Sequence, residues 1–361
     1  MELARININM EGSAFNIIKV FVLGAAAFLA AFLSTPLLTH FLYKHKLWRK
    51  EVRTKAVDGG EVTLFQKFHS EGETRVPRFG GLLVWIPTLF LALFFLILSK
   101  TGIWWLEKLN FLSRSQTWLP LFTLIAASLL GLLDDVLQVT GRGKYIGGGL
   151  SLKWRLLPVT LIGLVGGWWF YEKLAWSTIH IPGNGNMEIG ALMILFYAVV
   201  MLATYSGGVI DGLDGLAGGA FGTMFGAFSV IALFNNQVDL AAFSAVIAGT
   251  TLAFLWFNIP PARFYFGETG ILGLTATLTV VAFLTDSVLV LPIIGFLLVV
   301  ESASVILQLL SKKFRHKKIF LASPIHHHFE AKGWPHYKVT MRFWVIGVVM
   351  AIVGVTIRML G

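Results

Sequence analysis

Ten blocks of apolar residues, each about as long as a membrane-spanning helix, limit what this sequence can fold into. About 20 such residues cross the roughly 30 Å of hydrocarbon in a bilayer, and only helices and closed barrels satisfy their backbone there. Barrel strands alternate apolar and polar side chains, and these blocks do not. We therefore predict one all-α, polytopic integral membrane domain over residues 1–361, with about ten transmembrane helices. The blocks lie near 15–43, 79–99, 117–133, 156–172, 189–206, 218–234, 240–258, 271–285, 288–310 and 342–360.

The composition agrees with a membrane protein. Hydrophobic residues make up 56% of the chain and charged residues 13%, against roughly 25% charged residues in a soluble domain. The first block is too long for the core of a signal peptide, and no small-residue cleavage site closes it, so we expect it to remain as the first span. The chain has no cysteine, which excludes disulfides and thiolate chemistry.

The distribution of basic residues predicts the orientation. Of the 29 Lys and Arg residues, 22 lie in or directly beside the five loops that follow odd-numbered blocks. Positive charge favours the cytoplasmic side, so we predict that these loops are cytoplasmic and that both termini are outside (N-out/C-out). This topogenic role explains the net charge of +10 better than nucleic-acid binding does. The five loops lie near 44–78, 134–155, 207–217, 259–270 and 311–341.

Acidic residues cluster in the same loops. Asp134 and Asp135 end the third apolar block, Asp211 and Asp214 lie one helical turn apart in "IDGLDGLAGG", and Glu268 lies in "FYFGETG". Such oxygen ligands suit Mg²⁺, which keeps several waters and uses phosphate oxygens of a substrate. Two other interpretations stay open from the residues alone: the aspartate pair as a topological stop, and Glu268 as a helix-capping acid. A single site at the cytoplasmic surface would unite these acids.

Three consecutive histidines, His326, His327 and His328, lie in the last predicted cytoplasmic loop. On a helix they fan out by about 100° each, and in an extended segment only alternate ones share a side, so they cannot all bind one ion. Without cysteine or a His-x-x-x-His spacing in this run, a zinc site is not expected. Imidazoles that donate to phosphate oxygens fit the acidic surroundings better. Glu301, inside the ninth block, is interpreted as a buried, paired structural acid.

Taken together, these segments resemble the phospho-N-acetylmuramoyl-pentapeptide transferase family, part of the polyprenyl-phosphate N-acetylhexosamine-1-phosphate transferase superfamily. The histidine segment is the most specific marker, and the other segments match in order over nearly the whole chain. The resemblance implies a Mg²⁺-dependent reaction in which undecaprenyl phosphate attacks the β-phosphate of UDP-N-acetylmuramoyl-pentapeptide, releasing UMP and forming lipid I. The matching segments are "LLGLLDD", "DGLDGLA", "FLWFNIPPARFYFGETG", "VVESASVILQ", "SPIHHHFEAKGWP" and "RFWVIG".

The resemblance also implies roles for single residues. The implied catalytic residues are Asp134, Asp135, Asp211, His326, His327 and His328. The implied substrate-binding residues are Asp214, Tyr265, Asn258 and Lys332, and the implied metal ligands are Glu268 and Asp135. The enzyme would lie in the bacterial inner membrane with its site on the cytoplasmic face. Whether it forms a homodimer stays open.

Four positions depart from the family pattern. Glu268 stands where the family has its metal-binding aspartate, and Gly208 where it has an asparagine. Tyr265 stands where a phenylalanine would stack on uracil, and Gln138 where a lysine follows the paired aspartates. The departures fall on the expected metal and nucleotide contacts.

Three other functions are compared with this one. A polyprenyl-phosphate sugar-1-phosphate transferase with a smaller donor, such as UDP-N-acetylglucosamine, is favoured by "VPRFGG" (76–81), which lacks the usual Thr-Pro-Thr. The histidine run argues against it. A carrier for an anionic solute would need charged residues near the bilayer midplane and inverted repeats, whereas the acids here cluster in loops. CDP-alcohol transferases need a longer acid pattern than "DGLDGLAGGAFG" offers.

Overall fold

Ten long helices dominate the described part of the chain, one over each predicted apolar block. The computed structural model describes the backbone of residues 2–50, 73–142 and 149–361, and side chains in these ranges from residue 14 onward. The helices are α1 (Glu2–Lys44), α2 (Leu82–Leu98), α3 (Trp118–Thr140), α4 (Leu152–Trp168), α5 (Leu192–Ser206), α6 (Leu216–Phe234), α7 (Val238–Asn258), α8 (Gly267–Leu284), α9 (Phe296–Arg315) and α10 (His336–Leu360).

Eight of these segments are long and apolar enough to cross a membrane, judged by length and composition. The other two are α4, which has only 17 residues, and α9, which carries Glu301 and a basic last turn. The chain is therefore a mostly helical, polytopic membrane protein. The eight segments are Ala14–Lys44, Leu82–Thr101, Trp118–Thr140, Leu192–Ile210, Leu216–Phe234, Val238–Asn258, Gly267–Leu284 and His336–Leu360.

Helix α8 lies at the centre of the bundle and is almost wholly buried. Its threonines remain compatible with an apolar interior because each hydroxyl donates to a backbone carbonyl: Thr269 to Ser128 on α3 and the other three to the carbonyl four residues earlier. Thr275 donates to Ile271 (2.8 Å) and Thr277 to Gly273 (2.7 Å). Small side chains of this kind allow close helix packing in a membrane. α8 packs most extensively against α3, and this contact brings the first turn of α8 beside Asp134 and Asp135.

Helix α1 lies at the periphery and exposes large apolar side chains along its length, among them Phe21, Leu33 and Leu37. Lys19, a buried cation of this helix, is paired: the ammonium lies 2.7 Å from Asp239 at the start of α7 and donates to the Asn110 carbonyl. Pairing of this kind is expected for a charged group within a span.

One small β-hairpin corrects the all-α expectation. Strands β1 (Thr178–Ile181) and β2 (Gly185–Glu188) pair antiparallel, with Thr178 opposite Glu188 and Ile181 opposite Gly185. His180 contacts the backbone of Gly361, so the hairpin packs against the end of α10. Four-residue strands lie below the length at which alternation is visible in a sequence, which is why this hairpin was not predicted.

The placement of the acids in loops was wrong at two points. α3 continues through Asp134 and Asp135 to Thr140, and Glu268 lies in the first turn of α8. In the sequence, an apolar block ends at the first charged residues. The helix extends past that point because these charged side chains have hydrogen-bond or ionic partners in the folded protein. Two further parts of the sequence interpretation, most of the 44–78 loop (residues 51–72) and residues 143–148 of the 134–155 loop, lie outside the described residues.

Three shorter α-helices among the described residues are Trp104–Leu109, Leu291–Ile294 and Ile325–Ala331, and single 3₁₀ or π turns lie at Ser99–Thr101, Trp169–Lys173 and Gly207–Ile210. The helix Ile325–Ala331, termed the histidine helix below, contains the three consecutive histidines.

Candidate active site

Asp135 holds the start of α8 against α3. Its Oδ1 accepts a hydrogen bond from the Glu268 amide (2.9 Å) and its Oδ2 one from the Thr269 amide (2.8 Å), and the side chain is wholly buried. Gly267 permits this approach, because its φ is +71° and a Cβ there would lie 2.5 Å from Oδ2 of Asp135. A carboxylate at a helix N-terminus is stabilised by the unpaired amides and the helix dipole. Asp135 therefore caps α8.

Arg155 at the start of α4 bridges two of the acids. Its guanidinium lies 2.9 Å from Oδ2 of Asp134 and 2.7 Å from Oε1 of Glu268. Asp134 also accepts hydrogen bonds from the Leu150 amide (2.6 Å) and from Gln138 Nε2 (2.8 Å). An arginine thus supplies positive charge beside Asp134 and Glu268.

A second buried arginine lies behind Gln138. Arg49 donates from Nε (3.1 Å) and Nη2 to Oε1 of Gln138, and its Nη1 lies 2.6 Å from Glu73. The arginine and Glu73 are both less than 10% exposed. The family has a lysine at the position of Gln138. In this chain the neutral amide of Gln138 is hydrogen-bonded to the guanidinium of Arg49.

Asn258 joins two loops beside the site. Its Oδ1 accepts from the Gly215 amide (2.9 Å), and its Nδ2 donates to the Phe264 carbonyl (2.8 Å). Asp214 accepts a hydrogen bond from the Ala262 amide (3.0 Å). The amide of Asn258 is thus engaged with backbone, and its predicted contact with substrate stays a prediction.

Asp211 differs from the other acids because, within the described residues, no hydrogen bond to its carboxylate is present. It follows a short 3₁₀ turn and is half-buried. Burial raises the pKa of the Asp211 carboxyl to about 7, and the nearby carboxylates of Glu268 and Asp214 act in the same direction, against Arg78 and His326. Asp211 is therefore a half-buried acid with uncommitted oxygens, near Glu268, Asp214, Arg78 and His326.

His326 is held by Glu301 and faces the loop that carries Asp211. Its Nδ1 lies 2.9 Å from Oε2 of Glu301, and both side chains are fully buried. Its Nε2 is buried without a hydrogen-bond partner, and a Cβ on Gly212 would lie 2.2 Å from that atom. The interpretation of Glu301 as a buried, paired acid is confirmed, and the partner is a histidine of the site. An ionisable residue within a span is a signal that could have indicated this.

The other two histidines have different hydrogen-bond partners, as the angular spacing on a helix predicts, although Nε2 of His327 also lies beside Gly212. His327 contacts Glu330 on the same helix (2.6 Å). His328 Nδ1 accepts a hydrogen bond from the Leu321 amide (3.1 Å), and burial together with Lys332 lowers the pKa of His328. Lys332 ends the histidine helix and is exposed. The structure does not bring His328 and Lys332 to the buried acids.

Tyr265 lies beside the first turn of α8. Its backbone amide donates to the Pro77 carbonyl (2.8 Å), which joins the "VPRFGG" segment (76–81) to the site. Burial and the neighbouring Asp214 raise the pKa of its hydroxyl well above the usual range. Arg78 of the same segment lies 4.0 Å from Asp135. Sequence reasoning missed Arg78 and Arg155 as site residues, because loop arginines were counted only for orientation.

The acids differ in how well they fit the divalent cation that the resemblance implies. Among the described residues, no group of three or more His, Asp or Glu is arranged to hold a metal. Mg²⁺ needs only one or two carboxylates when phosphate oxygens and waters complete its shell. Both oxygens of Asp135 are already bonded to amides, whereas Asp211 and the second oxygen of Glu268 are not. The donor set fits Mg²⁺ at Asp211 and Glu268 better than at Asp135.

The chain is similar in sequence to known proteins of one enzyme family. Residues 117–286 match the model of glycosyl transferase family 4. The chain is 32% identical to a phospho-N-acetylmuramoyl-pentapeptide transferase of Geobacillus thermodenitrificans, over 92% of this chain and 96% of the relative. It is 36% identical to that of Anoxybacillus flavithermus and 35% identical to that of Bacillus subtilis, each over 75% of this chain and 83% of the relative.

Proposed function

Since the chain belongs to the phospho-N-acetylmuramoyl-pentapeptide transferase family, we infer that it transfers phospho-N-acetylmuramoyl-pentapeptide from UDP to undecaprenyl phosphate. An oxygen of the lipid phosphate attacks the β-phosphorus of the donor. The bond from that phosphorus to the bridging oxygen breaks, UMP leaves with the bridging oxygen, and lipid I remains in the membrane. The protein is a phosphoglycosyl transferase of peptidoglycan biosynthesis and a multi-pass bacterial membrane protein.

One observation supports this assignment: the unpartnered Nε2 of His326 lies against Gly212, the residue that follows the uncommitted Asp211, and Arg78 acts electrostatically on the same carboxylate. Acids, a histidine and an arginine at one end of an apolar bundle are suited to phosphoryl transfer, in which positioning and electrostatic stabilisation do most of the work.

We propose Mg²⁺ as the cofactor, and Asp211 and Glu268 as the residues that would hold it. When bound, the ion neutralises charge on the diphosphate as it transfers. Asp211 is suited to this because its oxygens are free, and Glu268 because only one oxygen is bonded to Arg155. A cation there would also relieve the repulsion between the two carboxylates.

In its imidazolium form, in which both ring nitrogens are donors, His326 would donate from Nε2–H to a phosphate oxygen. Glu301 accepts from Nδ1–H and so fixes the ring orientation, which leaves Nε2 directed at the loop that carries Asp211. Asp134 and Asp135 would act by position: Asp134 orients Arg155, and Asp135 fixes the first turn of α8 that carries Glu268. We propose Asp214 and Tyr265 on the nucleotide side, as the resemblance implies, with Asn258 supporting the loop between them.

We also propose ten spans and an N-out/C-out orientation. The support is the distribution of Lys and Arg among the loops and the presence of a helix over every apolar block. The chain has no cysteine, so single introduced cysteines report topology directly. Ser323→Cys, beside the histidine helix, should be labelled from the cytoplasmic side alone. The matched control Asn184→Cys, in the exposed hairpin turn, should be labelled from outside. The reverse pattern would invert the proposed orientation.

The function is tested with purified protein, undecaprenyl phosphate and two donors, UDP-N-acetylmuramoyl-pentapeptide and UDP-N-acetylglucosamine, with and without Mg²⁺. We expect UMP and a lipid-linked product with the first donor only, and only with Mg²⁺. Turnover of the second donor alone would replace this function by that of a sugar-1-phosphate transferase, which the "VPRFGG" segment favours. Donor uptake into vesicles without UMP release would indicate a carrier.

A further inference from the structure

The "VPRFGG" segment (76–81) is tied to the active site by its backbone. The Tyr265 amide donates to the Pro77 carbonyl (2.8 Å), and the Gly80 amide donates to the Tyr265 carbonyl (2.8 Å). The Gly81 amide then donates to the Phe266 carbonyl (2.8 Å). This ladder of three backbone hydrogen bonds fixes the position of Arg78, which lies between Pro77 and Gly80.

Arg78 is a mostly buried cation among acids that it does not neutralise by hydrogen bonding. Its side chain is 15% exposed, and its Nε lies 4.0 Å from Oδ1 of Asp135, beyond hydrogen-bond distance. That Nε is buried without a partner, and within the described residues no hydrogen bond to the guanidinium is present. Its positive charge opposes the rise in the pKa of Asp211 and of the Tyr265 hydroxyl, so the guanidinium lies near both side chains.

By contrast, the guanidinium of Arg155 in the same site is bonded to two carboxylates. Two of its nitrogens are within 2.9 Å of Asp134 and Glu268. An arginine has five N–H donors in a rigid fork that matches phosphate and carboxylate oxygens. The fork of Arg78 has no such partner, although its location beside the nucleotide-side residue Tyr265 is well defined.

We propose that Arg78 is a phosphate-binding residue of this enzyme and donates to phosphate oxygens of a substrate in the cleft. The proposal rests on the function inferred above, since that function brings a diphosphate and a lipid phosphate into the site. Contact with Tyr265 through the backbone ladder favours the donor diphosphate, and the lipid phosphate presents the same chemistry.

The test compares Arg78→Gln and Arg78→Lys with wild type. The matched control is Arg75→Gln, because Arg75 is exposed and lies three residues earlier on the same segment. KM is measured for the donor at saturating undecaprenyl phosphate, and for undecaprenyl phosphate at saturating donor. Binding of UDP to the purified variants without lipid gives a readout that does not depend on turnover.

We expect Arg78→Gln to raise one KM by about 10- to 100-fold, the scale of a lost charge-assisted hydrogen bond, with a smaller rise for Arg78→Lys and none for Arg75→Gln. A higher donor KM together with weaker UDP binding identifies the donor diphosphate as the ligand. A higher lipid KM with unchanged UDP binding identifies the lipid phosphate.

Two results would overturn the proposal. One is an Arg78→Gln enzyme whose two KM values stay within about twofold of wild type, whatever its kcat. The other is failure of both Arg78 variants to fold, judged by thermal unfolding, which would make the residue structural. Failure of the wild-type protein to turn over the muramoyl donor refutes the inferred function instead, so the two failures are distinguishable.

Discussion

The active site has two sides that differ in how far their polar groups are satisfied. On the saturated side, defined by Asp134, Gln138, Arg155 and Glu268, each side chain has a hydrogen-bonded or ionic partner. On the open side, defined by Arg78, Asp211 and His326, neither the Arg78 guanidinium nor the Asp211 carboxylate has a hydrogen bond among the described residues, and Nε2 of His326 is buried without one. Arg155 also leaves its Nε without a partner, but its other two guanidinium nitrogens are bonded to carboxylates. Unsatisfied buried polar groups are costly, and a ligand in the site would satisfy them. We therefore propose that the open side meets substrate and that the saturated side positions it.

Asp211→Asn should cause the largest loss, because it removes the uncommitted carboxylate of the open side. We expect kcat to fall by about 10²-fold or more, the scale of losing a positioned electrostatic or acid–base group. Asp286→Asn, which changes an aspartate beside the hairpin, serves as the control and should leave kcat unchanged. A fully active Asp211→Asn enzyme would show that Asp211 is not part of the site, and it would refute the proposed role of the open side.

Glu301→Gln should cause the next largest loss. Without its carboxylate partner, His326 loses its fixed orientation, so we expect kcat/KM to fall by about 10- to 100-fold, as for groups that orient a functional histidine. Glu301→Asp keeps the charge and should restore part of the activity. A change in the pH profile of kcat/KM separates an effect on the histidine from simple destabilisation. An unshifted profile with lower thermal stability would make Glu301 structural only.

The pKa of Asp211 predicts a pH dependence of activity. Since burial raises that pKa to about 7, the carboxylate form that binds a cation is lost below this pH. We expect kcat/KM to fall about tenfold for each pH unit below about 7 and to level above it. Initial rates from pH 5.5 to 8.5 measure this. A flat wild-type profile over that range would contradict the assignment.

The same group has the opposite consequence for stability. Unfolded, the carboxyl titrates near 3.8, and its folded pKa is higher. Its contribution to the free energy of unfolding is therefore complete below pH 3.8 and is lost as the pH rises through about 7. Thermal unfolding of Asp211→Asn should lack that part of the pH dependence. Equal slopes in the two proteins would argue against the raised pKa.

Glu268 joins the two sides, and its variants should show the smallest of these effects. Glu268→Asp shortens an acid that reaches both Arg155 and the proposed metal position, so we expect activity to fall and the Mg²⁺ requirement to rise about tenfold, the scale of one charged hydrogen bond. Glu268→Gln should raise the requirement at least as far. A Mg²⁺ titration of the three proteins is the measurement. An unaltered Glu268→Gln curve would leave Glu268 on the saturated side alone.

Much of the fold follows from local pattern. The ten apolar blocks each became a helix because a backbone in hydrocarbon must satisfy its own hydrogen bonds. The histidines diverge as consecutive residues on a helix must. The helix boundaries near Asp135 and Glu268 could not be predicted from local pattern. They depend on a hydrogen bond between α3 and α8 that joins two residues 133 positions apart in the sequence.

The sequence by itself determined that this chain is a helical membrane protein of the phospho-N-acetylmuramoyl-pentapeptide transferase family, because composition, block length and motif order are local properties. It also identified the acids and histidines by type. Only the tertiary structure decided which of them are committed: Asp135 to the amides of α8, Asp134 and Glu268 to Arg155, and His326 to Glu301, with Asp211 and Arg78 left open. Hydrogen bonding depends on which side chains meet across packed helices, and no spacing along the chain contains that information.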